Sequence, residues 1–355
     1  MKIILPLLGF GRAGGYRVIS RLADELVMCG CEVNFIVPER ISSPYYPTIA
    51  NIIKTKSPLA KNKYWRFILL VYYLVLEIKK TNADVIVATQ HLTTYVALFA
   101  KKRIKKVYYV QANEVKLVNG YFRKFLAVIT YLFPFQKIVN SDEILPPAIW
   151  DKKYVVPAGI DLSLFQPPVK NREFSCKNRM VVGFVGRKEK YKGSAEIIES
   201  IVRFEKIYSG DICVHVAVYR PDELARLSSK VVFHSIENDH QLADFYRSCD
   251  VLIAAGLIES GAFHYPCAEA MASGCLTISN YAPLKHVKSR FYMEQFSVSG
   301  VVESLVRVSQ MHADEIAEEI ENNASYIKSY GWELIGLKMF NALLEVSGEK
   351  KDTVC

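Results

Sequence analysis

The fold is indicated by residues 1–38, which read MKIILPLLGFGRAGGYRVISRLADELVMCGCEVNFIVP. Residues 1–8 are apolar over the length of a buried strand, and a glycine-rich turn follows them. From residue 16 to residue 28 apolar side chains recur every three or four positions, as on one face of a helix, and residues 32–38 form a second apolar run. The stretch therefore predicts a strand, a helix and a second strand.

The same alternation continues along the chain. Further helices are predicted over residues 64–80, 93–101 and 122–133, followed by strands at 84–89, 106–110 and 137–139. After a linker with Pro pairs and charges, strands recur at 180–185, 212–218, 231–235, 251–254 and 276–279, and residues 294–349 are helical in pattern. Strands that alternate with helices form parallel sheets covered on both faces, so the chain is predicted to be α/β.

Chain length sets the expected number of domains. At about 150 residues per domain, 355 residues exceed one ordinary core. We expect two doubly wound, Rossmann-like domains that face a ligand-binding cleft, an N-terminal domain over residues 1–168 and a C-terminal domain over residues 169–330. Residues 331–355 are predicted to form a terminal helix that packs back on the N-terminal domain.

Composition excludes several classes of protein. The longest apolar run, residues 67–76, is about half of what a bilayer crossing needs, so no transmembrane helix is expected. The first residues lack the cleavage pattern of a signal peptide, which predicts a cytoplasmic protein. The eight cysteines include no CxxC pair, and this favours buried free thiols over a metal site.

Charge is distributed unevenly between the two halves. Residues 1–165 contain 23 Lys and Arg against 11 Asp and Glu, a net charge of +12, whereas residues 166–355 carry −3. The basic residues concentrate at 101–106 and 116–124, and such a patch attracts the phosphates of nucleic acid or of anionic lipid. A solvated face that aids solubility is the alternative interpretation. Nucleic acid is not expected as a partner, because aromatic side chains do not interleave with the basic ones.

Two glycine-containing loops offer candidate anion sites. Before the first helix, Gly14 and Gly15 let backbone amides approach an anion and Arg17 follows them, although a simple tight turn explains the same sequence. After the strand at 180–185, Gly186 and Arg187 lead to Lys192. Two cations at a strand end can hold a diphosphate and offset the charge of a leaving group.

Two further loops carry candidate ligand contacts. Residues 156–165 include Gly159 and suit either a ligand contact or a hinge between domains. Residues 259–275 run into a helix that carries Glu269, whose carboxylate can accept two hydroxyl hydrogen bonds from a ribose diol. The backbone amides of this loop suit phosphate or sugar oxygens.

These four loops, in this order and spacing, resemble glycosyltransferase family four, the retaining enzymes with the GT-B fold. The resemblance extends over nearly the whole chain and is strongest in residues 263–274, FHYPCAEAMASG. Residues 157–165 resemble the PNGVD…F segment of the family, and residues 186–193 resemble its GR…KG element. The pair Trp332-Glu333 before the last helix is also typical.

The resemblance implies a hexosyltransferase that moves a sugar from a nucleotide diphosphate sugar to a glycan or lipid-linked acceptor, with retention of the anomeric configuration. It implies no metal or other cofactor, since Arg187 and Lys192 would stabilise the departing diphosphate. The form of the last loop resembles bacterial surface-polysaccharide enzymes, which points to lipopolysaccharide or a related polymer. Together with the basic half, this predicts an anionic membrane surface as a partner, at the inner face of the cytoplasmic membrane.

The resemblance also assigns site residues. The predicted catalytic residues are Arg187, Lys192, His91 and Glu259. The predicted donor and nucleotide site comprises Gly14, Gly15, Arg17, Gly159, Gly186, Arg187, Lys192, Phe263, His264, Tyr265 and Glu269. The predicted acceptor side comprises Gln90, His91, Gln111 and Glu114. A structural role for His91 and the capping of a turn by Glu114 are alternative interpretations.

One position departs from the family pattern. The family has two glutamates eight positions apart, and the residue eight before Glu269 is Gly261. Either Glu259 takes over the role, or His264 or the loop amides contact the donor sugar. Two other functions stay open: a nucleotide-sugar epimerase with the GT-B fold, and a non-catalytic partner subunit.

Overall fold

The computed structural model of the chain describes residues 1–11, 13–41, 43–59, 61–149, 151, 154–168, 176, 178–258 and 261–348. The chain divides into two compact units. The N-terminal unit consists of Met1–Gly159 and Trp332–Cys355, and the C-terminal unit is Ile160–Gly331. Each unit is built on its own parallel sheet, so the predicted class of two doubly wound α/β units is confirmed.

The strands and helices alternate along the chain. The strands are β1 (Lys2–Pro6), β2 (Glu32–Pro38), β3 (Asn51–Thr55), β4 (Val85–Ala88), β5 (Lys105–Val110), β6 (Gln136–Val139), β7 (Arg179–Val185), β8 (Asp211–Ala217), β9 (Lys230–His234), β10 (Val251–Ala254) and β11 (Leu276–Ser279). The helices are α1 (Gly14–Met28), α2 (Lys63–Lys80), α3 (His91–Leu98), α4 (Glu114–Leu117), α5 (Tyr121–Leu132), α6 (Ser194–Glu205), α7 (Asp239–Ser248), α8 (Tyr265–Ala272), α9 (Leu284–Val287), α10 (Val298–Gln310), α11 (Ala313–Ile327) and α12 (Trp332–Ser347).

The sheet of the N-terminal unit has six strands in the order β3-β2-β1-β4-β5-β6. Ile4 of β1 lies opposite Asn34 of β2 on one side and opposite Ile86 of β4 on the other, in parallel register. The chain runs outward from β1 to β3 and then returns to β4 on the other side of β1. The crevice at the carboxyl ends of β1 and β4 is therefore the topological switch point, where such sheets bind ligands.

The edge strand β3 was not predicted from the sequence. Its residues, NIIKT, show no clean alternation, and they are mostly exposed rather than buried. An edge strand with one exposed side carries a weak hydrophobic pattern, because only its partner β2 constrains it.

Helix α12 belongs to the N-terminal unit and packs against α1. The apolar stripe of α1 includes Ile19, Leu22 and Leu26, and it lines a small apolar cavity together with Met339 and Leu343 of α12. Gly336 permits the close approach, since a Cβ there would lie 2.3 Å from Cβ of Glu25.

The sheet of the C-terminal unit has five parallel strands in the order β11-β10-β7-β8-β9. Val251 of β10 lies opposite Val182 of β7 on one side and Leu276 of β11 on the other. The chain runs outward from β7 to β9 and then returns to β10 on the other side of β7. The carboxyl ends of β7 and β10 therefore form the second switch point.

The predicted domain boundary at residue 168 needs a correction of nine residues. Residues 160–168 belong to the C-terminal unit, because the backbone N of Ile160 donates to the O of Tyr330 at 2.7 Å. Phe165 is also buried there and packs on Tyr246, with ring centroids 6.1 Å apart. The second boundary lies at Gly331–Trp332.

A helix must be both long and apolar to cross a membrane. Within the described residues no helix is long and apolar enough to cross a membrane.

Candidate functional site

The switch point of the N-terminal unit brings together residues from three strand ends. Nε2 of Gln90, after β4, donates to the hydroxyl of Tyr16 in the first turn of α1 at 3.3 Å. Gly15 makes room for Gln111, after β5, since a Cβ at Gly15 would lie 3.3 Å from Oε1 of that side chain. The structure thus places the predicted residues Gln90 and Gln111 against the first turn of α1, Gln90 at Tyr16 and Gln111 at Gly15.

The amino terminus of α1 lies at the same switch point. Its N-cap residue, Ala13, has no polar side chain to hydrogen-bond the first-turn amides, and Gly14 and Gly15 follow it. Amides of this kind, at the positive end of a helix, attract anions. The half-buried Arg17 sits in the same turn and adds a formal positive charge.

Three polar contacts join His91 and Glu114 in this unit. The carboxylate of Glu114 accepts the backbone N–H of His91 with both oxygens, at 2.9 and 3.0 Å, and its Oε2 pairs with Nδ1 of the His91 ring. Both side chains are largely buried, at 13% and 15% exposure. The carboxylate therefore caps the start of α3 and orients the imidazole at once, and the ring nitrogen left to meet a ligand is Nε2.

Two buried tyrosines hold Glu114 in place. The hydroxyl of Tyr108 donates to Oε1 of Glu114 at 2.6 Å, and the hydroxyl of Tyr131 accepts the backbone N–H of Glu114 at 2.9 Å. The two rings stack with centroids 5.9 Å apart. Burial, followed by the charge of Glu114, raises the pKa of Tyr108 well above its usual range, so this hydroxyl remains a donor at any physiological pH.

These tyrosines were not identified from the sequence. Tyr108 lies within the apolar run of β5 and Tyr131 within the apolar pattern of α5, where aromatic residues are expected as core. An apolar pattern does not show that either tyrosine will hydrogen-bond Glu114, which is six residues from Tyr108 and 17 residues from Tyr131.

The switch point of the C-terminal unit carries the cation pair predicted from the sequence. Arg187 follows β7, Lys192 precedes α6, and both line one pocket with His264. The rest of the lining comes from Val185, Ile197, Ile253, Ala254, Ala255 and Pro266. Cations at the meeting point of β7, β10 and the α8 loop are well placed to bind a phosphate group.

Hydrogen bonds fix the loop that presents the cations. Oγ of Ser194 accepts the backbone N–H of Arg187 at 2.9 Å and lies 3.2 Å from its carbonyl oxygen. Gly193 takes a left-handed conformation, φ +74°, that ends the Lys190–Lys192 turn and starts α6. Gly186 allows β7 to pass close to the next strand connection, because a Cβ there would lie 2.0 Å from the carbonyl oxygen of Tyr219.

His264 sits at the start of α8, in a loop tied to β11. Its backbone N donates to O of Ala282 at 3.0 Å, and its ring stacks on Tyr281 with centroids 4.4 Å apart. Burial first, and then the positive charges of Lys192 and Arg187, lower the pKa of His264 well below its usual range. The ring is therefore neutral at pH 7.

Other predicted donor residues lie on the same loop and helix. Glu269 is only 1% exposed and accepts the hydroxyl of Tyr246 at 2.9 Å, so a ribose that reaches it must displace the groups covering it. Tyr265 packs edge-on against Phe263, whose ring stacks on Tyr330. The predicted catalytic residue Glu259 lies outside the described residues.

Gly159 has a packing role in the N-terminal unit. A Cβ at Gly159 would lie 2.5 Å from two ring carbons of Trp332, so the glycine lets the indole approach the backbone closely. A contact between Gly159 and the donor stays a prediction. In the described part of the chain, no group of three or more His, Cys, Asp or Glu side chains is placed to hold a metal ion.

Comparisons with known proteins bear on both units. Residues 179–321, which span all five strands of the C-terminal sheet, match the family model described as glycosyl transferases group 1. Among curated proteins, none matches the sequence at a significant level.

Solved structures resemble the chain over almost its whole length. A sucrose-phosphate synthase from Thermosynechococcus elongatus is 18% identical, with a TM-score of 0.73 over 98% of this chain and 99% of that one. Anabaena HepE in complex with UDP and glucose is 13% identical, with a TM-score of 0.73 over 97% and 100%. The lipopolysaccharide outer core galactosyltransferase WaaB is 15% identical, with a TM-score of 0.69 over 97% and 99%.

At these identities the structural likeness establishes the fold, and the family match covers the unit that holds Arg187, Lys192 and His264. The resemblance drawn from the sequence is thereby confirmed: residues 179–321 match the family model of the glycosyl transferases group 1, and the chain as a whole has the GT-B fold.

Proposed function

We propose that the protein transfers a sugar from a nucleotide diphosphate sugar to a glycan or lipid-linked acceptor, with retention of the anomeric configuration, in the synthesis of a cell-surface polysaccharide. The observation that carries the proposal is the pair Arg187 and Lys192 in one pocket at the switch point of a group 1 domain. Two cations at this place suit a leaving diphosphate, whose negative charge grows as the glycosidic bond breaks.

Uridine is the first nucleotide to test. HepE, which shares the fold, was solved with UDP and glucose bound. In this chain the diphosphate would contact Arg187 and Lys192, and the ribose would approach Glu269.

The acceptor side is assigned to the N-terminal switch point. The Glu114 carboxylate fixes the His91 ring through Nδ1, so Nε2 can hydrogen-bond a sugar hydroxyl in a defined direction. Gln90 and Gln111 add amide groups, which both donate and accept hydrogen bonds and therefore suit sugar hydroxyls.

The test of the donor assignment is a binding measurement. Thermal shift and calorimetry with UDP, GDP, dTDP and ADP should identify one preferred nucleoside diphosphate. Replacing Arg187 or Lys192 by Ala should weaken its binding by about 1–3 kcal/mol, the range for charge-assisted hydrogen bonds. Lys206→Ala, at the far end of α6, removes an exposed charge outside the pocket and should leave affinity unchanged. Unchanged affinity in both pocket variants would overturn the assignment.

Product analysis tests the reaction itself. The anomeric configuration of the transferred sugar, read by NMR from a completed reaction, should match that of the donor. An inverted product would overturn the proposed retention. Interconversion of nucleotide sugars without any acceptor would support the epimerase instead.

We also propose that the N-terminal unit binds an anionic membrane surface, where a lipid-linked acceptor would be found. Helices α2 and α5 both pack on α3. Each turns a row of apolar side chains to solvent, at helical spacing: Trp65, Ile68, Tyr72 and Leu76 on α2, and Tyr121, Phe125, Val128 and Leu132 on α5. Rows of this kind on solvated helices are typical of interaction surfaces.

The same unit carries a cluster of positive charge. Lys101 and Lys102 are exposed in the turn between α3 and β5, Lys105 is exposed at the start of β5, and Lys106 next to it is half-buried. We call the exposed apolar residues of α2 and α5, together with these four lysines, the basic–apolar face. Its chemistry suits the lipid headgroups and acyl boundary of an anionic bilayer.

A further inference from the structure

The ring of His264 contains a buried polar atom that lacks a partner. Within the described residues, Nδ1 of His264 makes no hydrogen bond, although it is enclosed by protein. Leaving such an atom unsatisfied destabilises the protein, because the atom loses its hydrogen bond to water and gains none in return. Because the atom belongs to a residue that lines the candidate diphosphate pocket, the missing partner points to the ligand.

The ring cannot readily turn away to find another partner. It stacks on Tyr281, and the hydroxyl of Tyr281 is anchored by donation to O of Ile258 at 2.8 Å. The backbone N of His264 is anchored to Ala282. The imidazole therefore stays in the pocket.

Charged groups reach this ring from two elements. Arg187 comes from the loop after β7 and Lys192 from the turn before α6, and both line the pocket with His264. From the α8 loop and the segment after β11 the neighbouring titratable groups are Tyr265, Tyr281 and the thiol of Cys267, whose pKa burial raises to about 11. Among the described residues, the field at the imidazole is thus set by two positive charges.

Burial and this field together keep the imidazole neutral when no anion is bound. Burial is the first cause of the depressed pKa of His264, and the charges of Lys192 and Arg187 are the second and third. A diphosphate between the two cations would cancel their field and offer an acceptor to an Nδ1–H, and both effects favour the protonated ring.

We propose that His264 hydrogen-bonds a phosphate oxygen of the donor through Nδ1 and takes up a proton from solvent when the diphosphate binds. The proton bonds to the ring nitrogen, and the resulting N–H donates to the phosphate. Departure of the nucleotide reverses the step. The inference rests on the proposed function. It adds to Arg187 and Lys192 a third positive charge, on His264, that is present only while the diphosphate is bound.

Two substitutions separate the hydrogen bond from the proton. In His264→Asn the amide nitrogen stands close to the position of Nδ1 and can donate without titrating. In His264→Phe the aromatic stack on Tyr281 is kept, but the polar atom is lost. His240→Asn, at the exposed start of α7, is the matched control for loss of a histidine elsewhere in the unit.

Calorimetry in buffers of different ionisation enthalpy measures the proton directly. The probe is whichever of UDP-glucose, GDP-mannose and dTDP-glucose stabilises the wild-type protein most. Each phosphorus of a sugar nucleotide carries one ester and one anhydride bond, so neither phosphate has a proton to exchange near pH 7 and any uptake belongs to the protein. We expect uptake of up to one proton, and an affinity that falls by up to about tenfold per pH unit as pH rises.

The variants give distinct expected results. His264→Asn should bind without proton uptake and with little pH dependence. His264→Phe should bind about tenfold or more weakly, and His240→Asn should match the wild type. Binding to the wild type without uptake, or equal uptake in His264→Asn, would overturn the inference alone. Failure of all three sugar nucleotides and their diphosphates to bind would overturn the proposed function as well.

Discussion

Removal of the lysines from the basic–apolar face should abolish most membrane binding at low salt. A Lys near an anionic surface contributes about 1 kcal/mol before screening. Replacing Lys101, Lys102, Lys105 and Lys106 by Ser should therefore cost up to about 4 kcal/mol, close to a thousandfold in affinity. Salt screens this attraction over about 10 Å at 0.1 M, so the deficit should shrink as salt rises.

The apolar part of the same face should behave differently. Phe122 and Phe125 of α5 are 73% and 60% exposed, so more than half of the gain from burying each ring is still to be made. At about 1.5–3 kcal/mol for a fully buried ring, the two together contribute about 2–4 kcal/mol on insertion. Phe122→Ser with Phe125→Ser should weaken binding at every salt concentration.

Sedimentation with vesicles of anionic or neutral lipid, at low and at high salt, separates these contributions. The wild-type protein should sediment with anionic vesicles at low salt and partly dissociate at high salt. A double Lys206→Ser, Lys230→Ser variant is the control for loss of charge in the C-terminal unit, and it should bind as the wild type does. Equal binding to neutral and anionic vesicles, or binding to neither, would refute the reasoning and favour a soluble acceptor.

Four further predictions follow from single features. Asn323→Leu should raise the free energy of unfolding by about 1 kcal/mol in chemical denaturation, because within the described chain neither amide atom of this fully buried side chain has a partner. The matched Asn280→Leu should lower it, since that amide exchanges two hydrogen bonds with one backbone segment. Gly186→Ala should cost about 1–3 kcal/mol, because its Cβ would meet a backbone carbonyl oxygen at 2.0 Å, and an unchanged melting temperature would contradict this. Glu114→Gln should lower kcat about tenfold or more while nucleotide affinity stays constant, as expected if it only positions His91; a change confined to stability would contradict the role. Transfer should continue in excess chelator, because Arg187 and Lys192 supply the positive charge; loss of activity that magnesium or manganese restores would contradict this.

Much of the fold follows from the sequence because buried parallel strands leave a strong pattern. The predicted strands at 32–38, 251–254 and 276–279 coincide with β2, β10 and β11. Strand β10 is apolar throughout, and β2 and β11 are largely apolar and almost fully buried, since both faces of a parallel sheet are covered. The edge strand β3 was not predicted, because its residues are mostly exposed and leave too weak a hydrophobic pattern.

The sequence predicts which loops form the candidate site, but it does not predict how the side chains of those loops are arranged. Arg187, Lys192 and His264 come from separate loops that the sheet order gathers in one pocket, and that order follows from the alternation of strands and helices. Which side chain contacts which partner depends on packing that sequence spacing does not encode. The hold of Tyr108 on Glu114 and the stack of His264 on Tyr281 are contacts of this kind.

The return of α12 to the N-terminal unit has a consequence for how the protein is made. A ribosome synthesises α1 before the C-terminal unit and α12 only after that entire unit has emerged. Until then the stripe formed by Ile19, Leu22 and Leu26 lacks the helix that covers it in the finished protein. The N-terminal unit is thus the first to begin folding and the last to be completed, and in the interval its uncovered stripe is a natural target for chaperones.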